Sequence, residues 1–229
     1  MLLGDGCLKP KTHICKDGSK SVIYEYVVCH STKQQAYVEH KKDIFHSIVG
    51  GKIPNLSYGT IHLKNNPKEY YSVRFSRTHK DFRLLHRKLY CNNNKKFFTR
   101  EVLDYLNPQA LALWYMDDGT LSLAKKPDGR ISSYQMIICT FFSEQEADTV
   151  IKYFDEVWHI GIRKRLDKKT QKYFMAFSTK EAVKFELLIH KYIIPSMMYK
   201  MPSKWFTRVP ESLTIKENIV VQEIVSAIP

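Results

Sequence analysis

Apolar and polar positions along this 229-residue chain fall into a pattern that occurs twice. Two apolar runs, Met1-Leu2-Leu3-Gly4-Asp5-Gly6 and Leu111-Ala112-Leu113-Trp114-Tyr115-Met116-Asp117-Asp118-Gly119, read as helical segments that stop at Asp-Gly. A glycine after a helix commonly takes the left-handed cap conformation, so Gly6 and Gly119 are expected in that role. After each Asp-Gly come two strand-like stretches, 7–15 and 21–30 in the first half and 120–125 and 132–142 in the second. Both pairs are joined through Asp-Gly (Asp17-Gly18 and Asp128-Gly129), a strong hairpin signal. Ser31 and Ser143 follow Asp5 and Asp118 at nearly the same spacing. Each opens a capping-box pattern, Ser31-Thr32-Lys33-Gln34 and Ser143-Glu144-Gln145-Glu146. Amphipathic helices are expected behind them, with apolar faces at Tyr37, Ile44, Phe45, Ile48 and Val49 and at Ala147, Val150, Ile151, Phe154, Val157 and Trp158. Further strands at 59–64 and 72–76 correspond to 161–166 and 174–178, and closing helices near 80–90 correspond to 180–192.

Each half therefore reads helix–hairpin–helix–hairpin–helix, a dimer written on one chain. The expected fold class is α+β, two pseudo-symmetric αββαββα repeats whose antiparallel sheets curve into a saddle. The expected divisions are 1–98, 99–201 and a C-terminal appendage, 202–229. Trp114, Tyr115, Phe154 and Trp158 read as core.

Charge then selects the partner. Lys and Arg outnumber Asp and Glu by 36 to 23, for a net charge of +13, which puts nucleic acid ahead of an anionic membrane surface. No apolar run approaches a membrane span, and no signal-peptide pattern opens the chain. The five cysteines show no Cys-x-x-Cys and read as reduced thiols, which places the protein inside a cell. The hairpins carry Lys9, Lys11, His13, Lys16 and Lys20 in the first half, and Lys125, Lys126, Arg130, Arg163, Lys164, Arg165, Lys168, Lys169 and Lys172 in the second. A two-stranded ribbon fits the DNA major groove, where polar side chains on its face read base edges and lysines at loop tips meet phosphate. A solvated, charged strand face is the alternative for any one of these residues.

The two carboxylates at the helix ends, Asp5 and Asp118, carry the candidate chemistry. The helix dipole opposes a bare negative charge there, and two such groups brought together resist joint ionisation unless a metal binds them.

Asn107-Pro108, the run 111–119 and Ile194-Pro195-Ser196-Met197-Met198-Tyr199-Lys200-Met201 together resemble the LAGLIDADG homing endonucleases, in the single-chain, two-motif, intron-encoded branch. The first motif matches only the last six of nine family positions, so the resemblance implies a first motif helix shortened to about one turn. It further implies a monomer that cuts both strands of double-stranded DNA at a specific site. One strand would be cut per half, by metal-dependent phosphodiester hydrolysis with Mg2+ or Mn2+. Asp5 and Asp118 would be metal ligands, joined by the carbonyls of Gly4 and Asp117. Lys200 matches the family's basic residue near one scissile phosphate. Its counterpart lies in Asn93-Asn94-Lys95-Lys96, where Lys96 follows Phe75 at nearly the spacing by which Lys200 follows Phe177, and Lys96 is favoured over Lys95. The host compartment would be a bacterial or phage-infected cytoplasm or an organelle. An intron maturase that binds RNA on the same fold is the alternative, and a DNA-binding regulator derived from the fold is a third reading. Retention of both aspartates and both lysines favours the nuclease, since RNA binding needs no metal site.

Overall fold

In a computed structural model of the chain, residues 2–62, 68–91 and 95–202 are described. Met1, Lys64, Pro67, Asn93, Asn94 and all of the expected appendage beyond residue 202 lie outside them. The chain divides into two compact units, Met1–Lys96 and Phe97–Pro229.

The first unit opens with a turn over residues 2–5 in place of a helix. Then follow β1 (Cys7–Ile14), β2 (Lys20–Ser31), a 3-10 turn at Thr32–Gln34, α1 (Gln35–Val49), β3 (Ser57–His62), β4 (Glu69–Thr78) and α2 (Phe82–Leu89). A short ribbon of β5 (Tyr90–Cys91) and β6 (Lys95–Lys96) closes it. The second unit runs α3 (Arg100–Leu103), α4 (Pro108–Asp118), β7 (Gly119–Lys125), β8 (Ile131–Phe142), α5 (Glu144–Trp158), β9 (Ile162–Asp167), β10 (Lys172–Phe177) and α6 (Thr179–Ile189). Two 3-10 segments follow, His190–Tyr192 and Pro195–Lys200. Each unit holds a four-stranded antiparallel sheet with the same strand order, β1-β2-β4-β3 and β7-β8-β10-β9.

The hairpin turns repeat atom for atom. Cys15 N–H donates to Ser19 O and Gly18 N–H to Cys15 O; Lys126 N–H donates to Arg130 O and Gly129 N–H to Lys126 O. Gly18 and Gly129 sit at φ +80° and +81°, the left-handed position that glycine fills without strain. Asp17 and Asp128 each accept from the backbone two residues on.

One face of each sheet takes the helices. In the first unit Leu8, Tyr26, Val28, Val73 and Phe75 pack with Val38 and Phe45 of α1 and Phe82 of α2, and the Tyr26 and Phe45 rings stack at 4.9 Å. In the second, Phe177 stacks on Phe185 of α6 at 4.5 Å, and Trp114, Tyr115, Phe154 and Trp158 are buried, as their sequence positions implied.

Two local expectations need correction. Ser143 builds a full capping box with Glu146, but Ser31 caps only the 3-10 turn through Lys33 N–H. Gln34, the residue that would complete the first box, turns its Oε1 to His30 Nδ1 instead. Gly6 is not left-handed, and neither is Gly119. Its φ of −78° and ψ of 149° begin β7 directly. Glycine is needed there for space, because a Cβ would overlap the ring and carbonyl of Tyr115.

Gly119 and Gly18 predict opposite mutational signatures. Gly119→Ala should destabilise by at least about 2 kcal/mol through overpacking. Gly18→Ala, with open space but positive φ, should cost only about 1 kcal/mol. Urea unfolding of the two variants checks this, and equal losses would contradict the steric assignment.

Candidate active site and nucleic-acid interface

The second motif is built from α4 outward. Asn107 caps the helix by accepting from Ala110 N–H (2.8 Å), and Pro108 fills its first turn. Six consecutive residues, Leu111 to Met116, are buried, which fixes both the rotation of the helix and the place where its C-terminus emerges. Asp117 and Asp118 stand at that end, half-buried. Lys200 Nζ donates to Met116 O (2.6 Å) and Asp117 O (3.3 Å), while Tyr115 Oη donates to the Lys200 carbonyl (2.9 Å). Lysine and aspartate are thus tied to one helix end from both main chain and side chain. Burial drives the Tyr115 phenol well above its ordinary range, with Glu186 adding to the effect.

Asp118 is held by a residue that the sequence did not single out. Thr140 Oγ1 donates to Asp118 Oδ2 and accepts from Trp114 Nε1 (2.9 Å). The β8–β10 pairing jumps from Phe142–Tyr173 to Ile138–Met175, so Thr140 lies in a bulge, a device that re-aims a strand side chain. No glycine or motif marks that bulge.

The first unit reproduces half of this arrangement. Lys96 Nζ donates to the carbonyl of Gly4, the residue before Asp5. Lys96 pairs directly with Tyr90 across the β5–β6 ribbon, and Tyr90 Oη accepts from Leu8 N–H (2.9 Å). Burial raises the Tyr90 hydroxyl's pKa. Lys96 is half-buried and Lys95 exposed, so the ribbon register aims Lys96 at the motif. Asp5 is exposed and has His30 Nδ1 at 3.6 Å from its Oδ2. Each unit therefore brings together an aspartate, the carbonyl before it and a lysine on that carbonyl. Carboxylate and carbonyl oxygens are the hard donors that magnesium takes, and manganese accepts the same set.

Six of the fourteen expected basic residues lie on the sheet faces opposite the helices. Lys9, Lys11 and His13 alternate with Leu8 and so point away from the core, all exposed. Arg74, exposed on the same face of β4 through its pairing with Cys29, belongs with them and was not foreseen. Glu25 lies among these cations. Its modest burial pushes its carboxyl up, but hydrogen bonds from Lys11 (3.0 Å) and Ser76 (2.9 Å) outweigh this and hold it below the usual range. In the second unit Arg163, Arg165 and Lys172 share the open face with Ala176 and Phe174, and Thr120, Ser122 and Gln135 line its other half. Lys16, Lys125, Lys126, Lys168 and Lys169 are exposed at hairpin ends.

The remaining three lie on the helix side or are held by neighbouring carboxylates. Lys164 pairs with Met175 on the helix side and binds Glu144 (2.9 Å) and Asp148 (2.6 Å) of α5, so it ties an edge strand to a helix. Lys20 pairs with Ile14 on the helix-side register of β2. Arg130 is held by Asp128 of its own turn (2.7 Å).

A family model described as the LAGLIDADG DNA endonuclease family matches residues 1–185. The chain is 28% identical over 216 residues to "Protein RecA" of Mycobacterium gastri, covering 90% of this chain and 46% of that protein. It is 30% identical over 141 residues to "Probable intron-encoded DNA endonuclease 3" of Mycosarcoma maydis, covering 60% of this chain and 96% of that one. The chain thus spans less than half the length of the first of these relatives. Among solved structures it is similar to the homing endonuclease I-WcaI bound to its DNA recognition sequence, with a TM-score of 0.67 and 25% identity, covering 87% of this chain and 81% of that one. Among the described residues no helix is long and apolar enough to cross a membrane.

The Thr140 bridge makes a stability prediction. Thr140→Val keeps the shape but leaves the Trp114 indole N–H without its acceptor, which should cost about 1–3 kcal/mol. Thermal or urea unfolding followed by tryptophan fluorescence measures it, and a neutral result would mean that the bridge does not hold in solution.

Proposed function

The chain belongs to the LAGLIDADG DNA endonuclease family, and from that premise we propose that it is a site-specific homing endonuclease that hydrolyses both strands of a double-stranded DNA target, one strand per unit. The two units act as the two LAGLIDADG-type repeats. The observation that carries this reading is the repeated lysine: Lys96 on the Gly4 carbonyl and Lys200 on the Asp117 carbonyl, each one residue before its aspartate. Binding RNA or DNA alone requires no metal-holding aspartate beside a lysine-held carbonyl, and here that arrangement occurs in both units.

Asp5 with the Gly4 carbonyl, and Asp118 with the Asp117 carbonyl, would hold the divalent metal. Magnesium or manganese supplies Lewis-acid activation of the phosphodiester and of water when bound. The chain's own contribution is positional. Asp118 would fix negative oxygens at the end of α4 and Asp5 at the end of the opening turn, while Lys96 and Lys200 would orient the attacking water and stabilise charge that grows on the phosphate oxygens. The open sheet faces bind the target. Lys9, Lys11, His13, Arg74, Arg163, Arg165 and Lys172 face base edges and backbone, while Lys16, Lys125, Lys126, Lys168 and Lys169 at the hairpin ends meet phosphate. The protein acts as a monomer wherever its target allele resides, in a bacterial or phage-infected cytoplasm or in an organelle.

Strand-specific kinetics test the assignment. Lys96→Met and Lys200→Met should each slow one strand at least about 10-fold more than the other, since removal of one charge-stabilising donor typically costs about 100-fold, and the slowed strand should switch between the two variants. Supercoiled plasmid should then stall at the open-circular form. Equal slowing of both strands would contradict one unit per strand. Unchanged cleavage with weakened intron splicing would favour a maturase.

A further inference from the structure

We propose that His30 and Lys41 form a buried pair that positions Asp5, and that this pair makes the half-site of the first unit chemically unlike that of the second. The proposal rests on the role given to Asp5 above.

Lys41 is fully buried. It sits on α1 in the stripe Tyr37–Lys41–Phe45, one residue per turn, between two buried aromatics. Burying such a side chain is costly unless its donors are used. Its Nζ lies 3.1 Å from His30 Nε2 and 4.5 Å from the centre of the Tyr37 ring. A lysine ammonium has donors only, so against a charged Lys41 Nε2 accepts and the imidazole proton sits on Nδ1. Nδ1 then donates to Gln34 Oε1 (3.1 Å) and presents the same N–H edge to Asp5 Oδ2 at 3.6 Å. The edge of His30 against Tyr37, with ring centres 5.3 Å apart, fixes the plane of the imidazole. The chain Lys41–His30–Asp5 thus runs from the core of the unit to the exposed carboxylate, with the lysine and the imidazole both buried. Gln34, diverted from its capping box, is the second acceptor.

Among the described residues, the matching positions of the second unit are filled differently. There Phe142 stands immediately before the Ser143 cap, as His30 stands before Ser31, and it packs edge-on against Phe98 at 4.9 Å. Asp118 is met by the Thr140 hydroxyl from the β8 bulge, whereas the β2–β4 register in the first unit is unbroken from Glu25 to Ser31. One aspartate is oriented by an alcohol backed by an indole, the other by an imidazole backed by a lysine. Nothing in catalysis by matched repeats requires this difference, and it gives each strand its own support.

The test is strand-resolved plasmid cleavage by His30→Phe, Lys41→Met and His30→Asn. Lys41→Met keeps the length of the side chain, and because the His30 that accepts from Lys41 is neutral it leaves no uncompensated buried charge behind, so this variant should fold. We expect His30→Phe and Lys41→Met to slow the strand that Lys96→Met slows by about 10–100-fold, the usual effect of removing a partner of a ligand, with target affinity and the other strand unchanged. His30→Asn, whose amide N–H lies near the position of Nδ1–H, should recover most of the rate. In the metal-free wild type, imidazole 15N shifts should show the Nδ1–H tautomer, and Lys41→Met should alter it. That measurement stands even if a variant fails to fold. Equal slowing of both strands in step with a lowered melting temperature would overturn the proposal, as would an Nε2–H tautomer in the wild type. Unchanged rates for His30→Phe and Lys41→Met, with cleavage abolished by Asp5→Asn, would overturn it while leaving the proposed function intact. Unchanged cleavage by Asp5→Asn would overturn both.

Discussion

The C-terminal end of α4 concentrates negative charge, and Lys200 is what makes it tolerable. The last backbone carbonyls of a helix have no partner within it and form the negative pole of its dipole. This helix adds Asp117 and Asp118 at that pole. Lys200 Nζ takes two of the carbonyls, and Tyr115 holds the Lys200 main chain from the same helix. The polypeptide from α6 onward therefore returns to α4, and the six buried residues of α4 give the arrangement a rigid base. Removing the lysine would take its donors and its charge away from the helix pole and the adjacent carboxylates. The first unit solves the same problem with less structure. Its aspartate follows a turn, and a two-residue ribbon delivers Lys96 to the Gly4 carbonyl.

Much of this was legible in the chain because the same signals occur twice. Asp-Gly hairpins have one favoured geometry, and both copies adopt matching turns with glycine at positive φ. Lys96 and Lys200 came from the resemblance to the family, and their nearly constant spacing from the fourth strand of each sheet agreed with it. The illegible parts involve contacts between distant segments. Thr140 reaches Asp118 only because β8 bulges, and the bulge depends on how β8 registers against β10, which no local pattern encodes. Gly119 looked like a helix cap and is instead a gap for the Tyr115 ring.

Lys41 and His30 are intermediate cases. Lys41 lies in a charged run, His40-Lys41-Lys42-Asp43, that invites a solvated reading. Its helical phase, four residues from both Tyr37 and Phe45, placed it on the buried stripe all along. His30 likewise falls in the alternation Tyr26–Val28–His30 that faces the core. Polar residues on a core-facing register were the available signal. The basic residues divide by the same rule: Lys9, Lys11 and His13 alternate outward, while Lys164 alternates inward and finds two carboxylates on α5.

The account makes the two units equal contributors to one reaction on DNA, and sequencing of cleaved ends tests this most directly. The protein would be incubated with a randomised double-stranded target library and magnesium, and each strand's ends read separately, with Asp118→Asn run in parallel. The account predicts one break per strand, at a fixed short offset within a shared target sequence. It also predicts no ends from Asp118→Asn, although that variant still retains target DNA in a gel shift. Random ends, no ends from the unaltered protein, or undiminished cleavage by Asp118→Asn would contradict it.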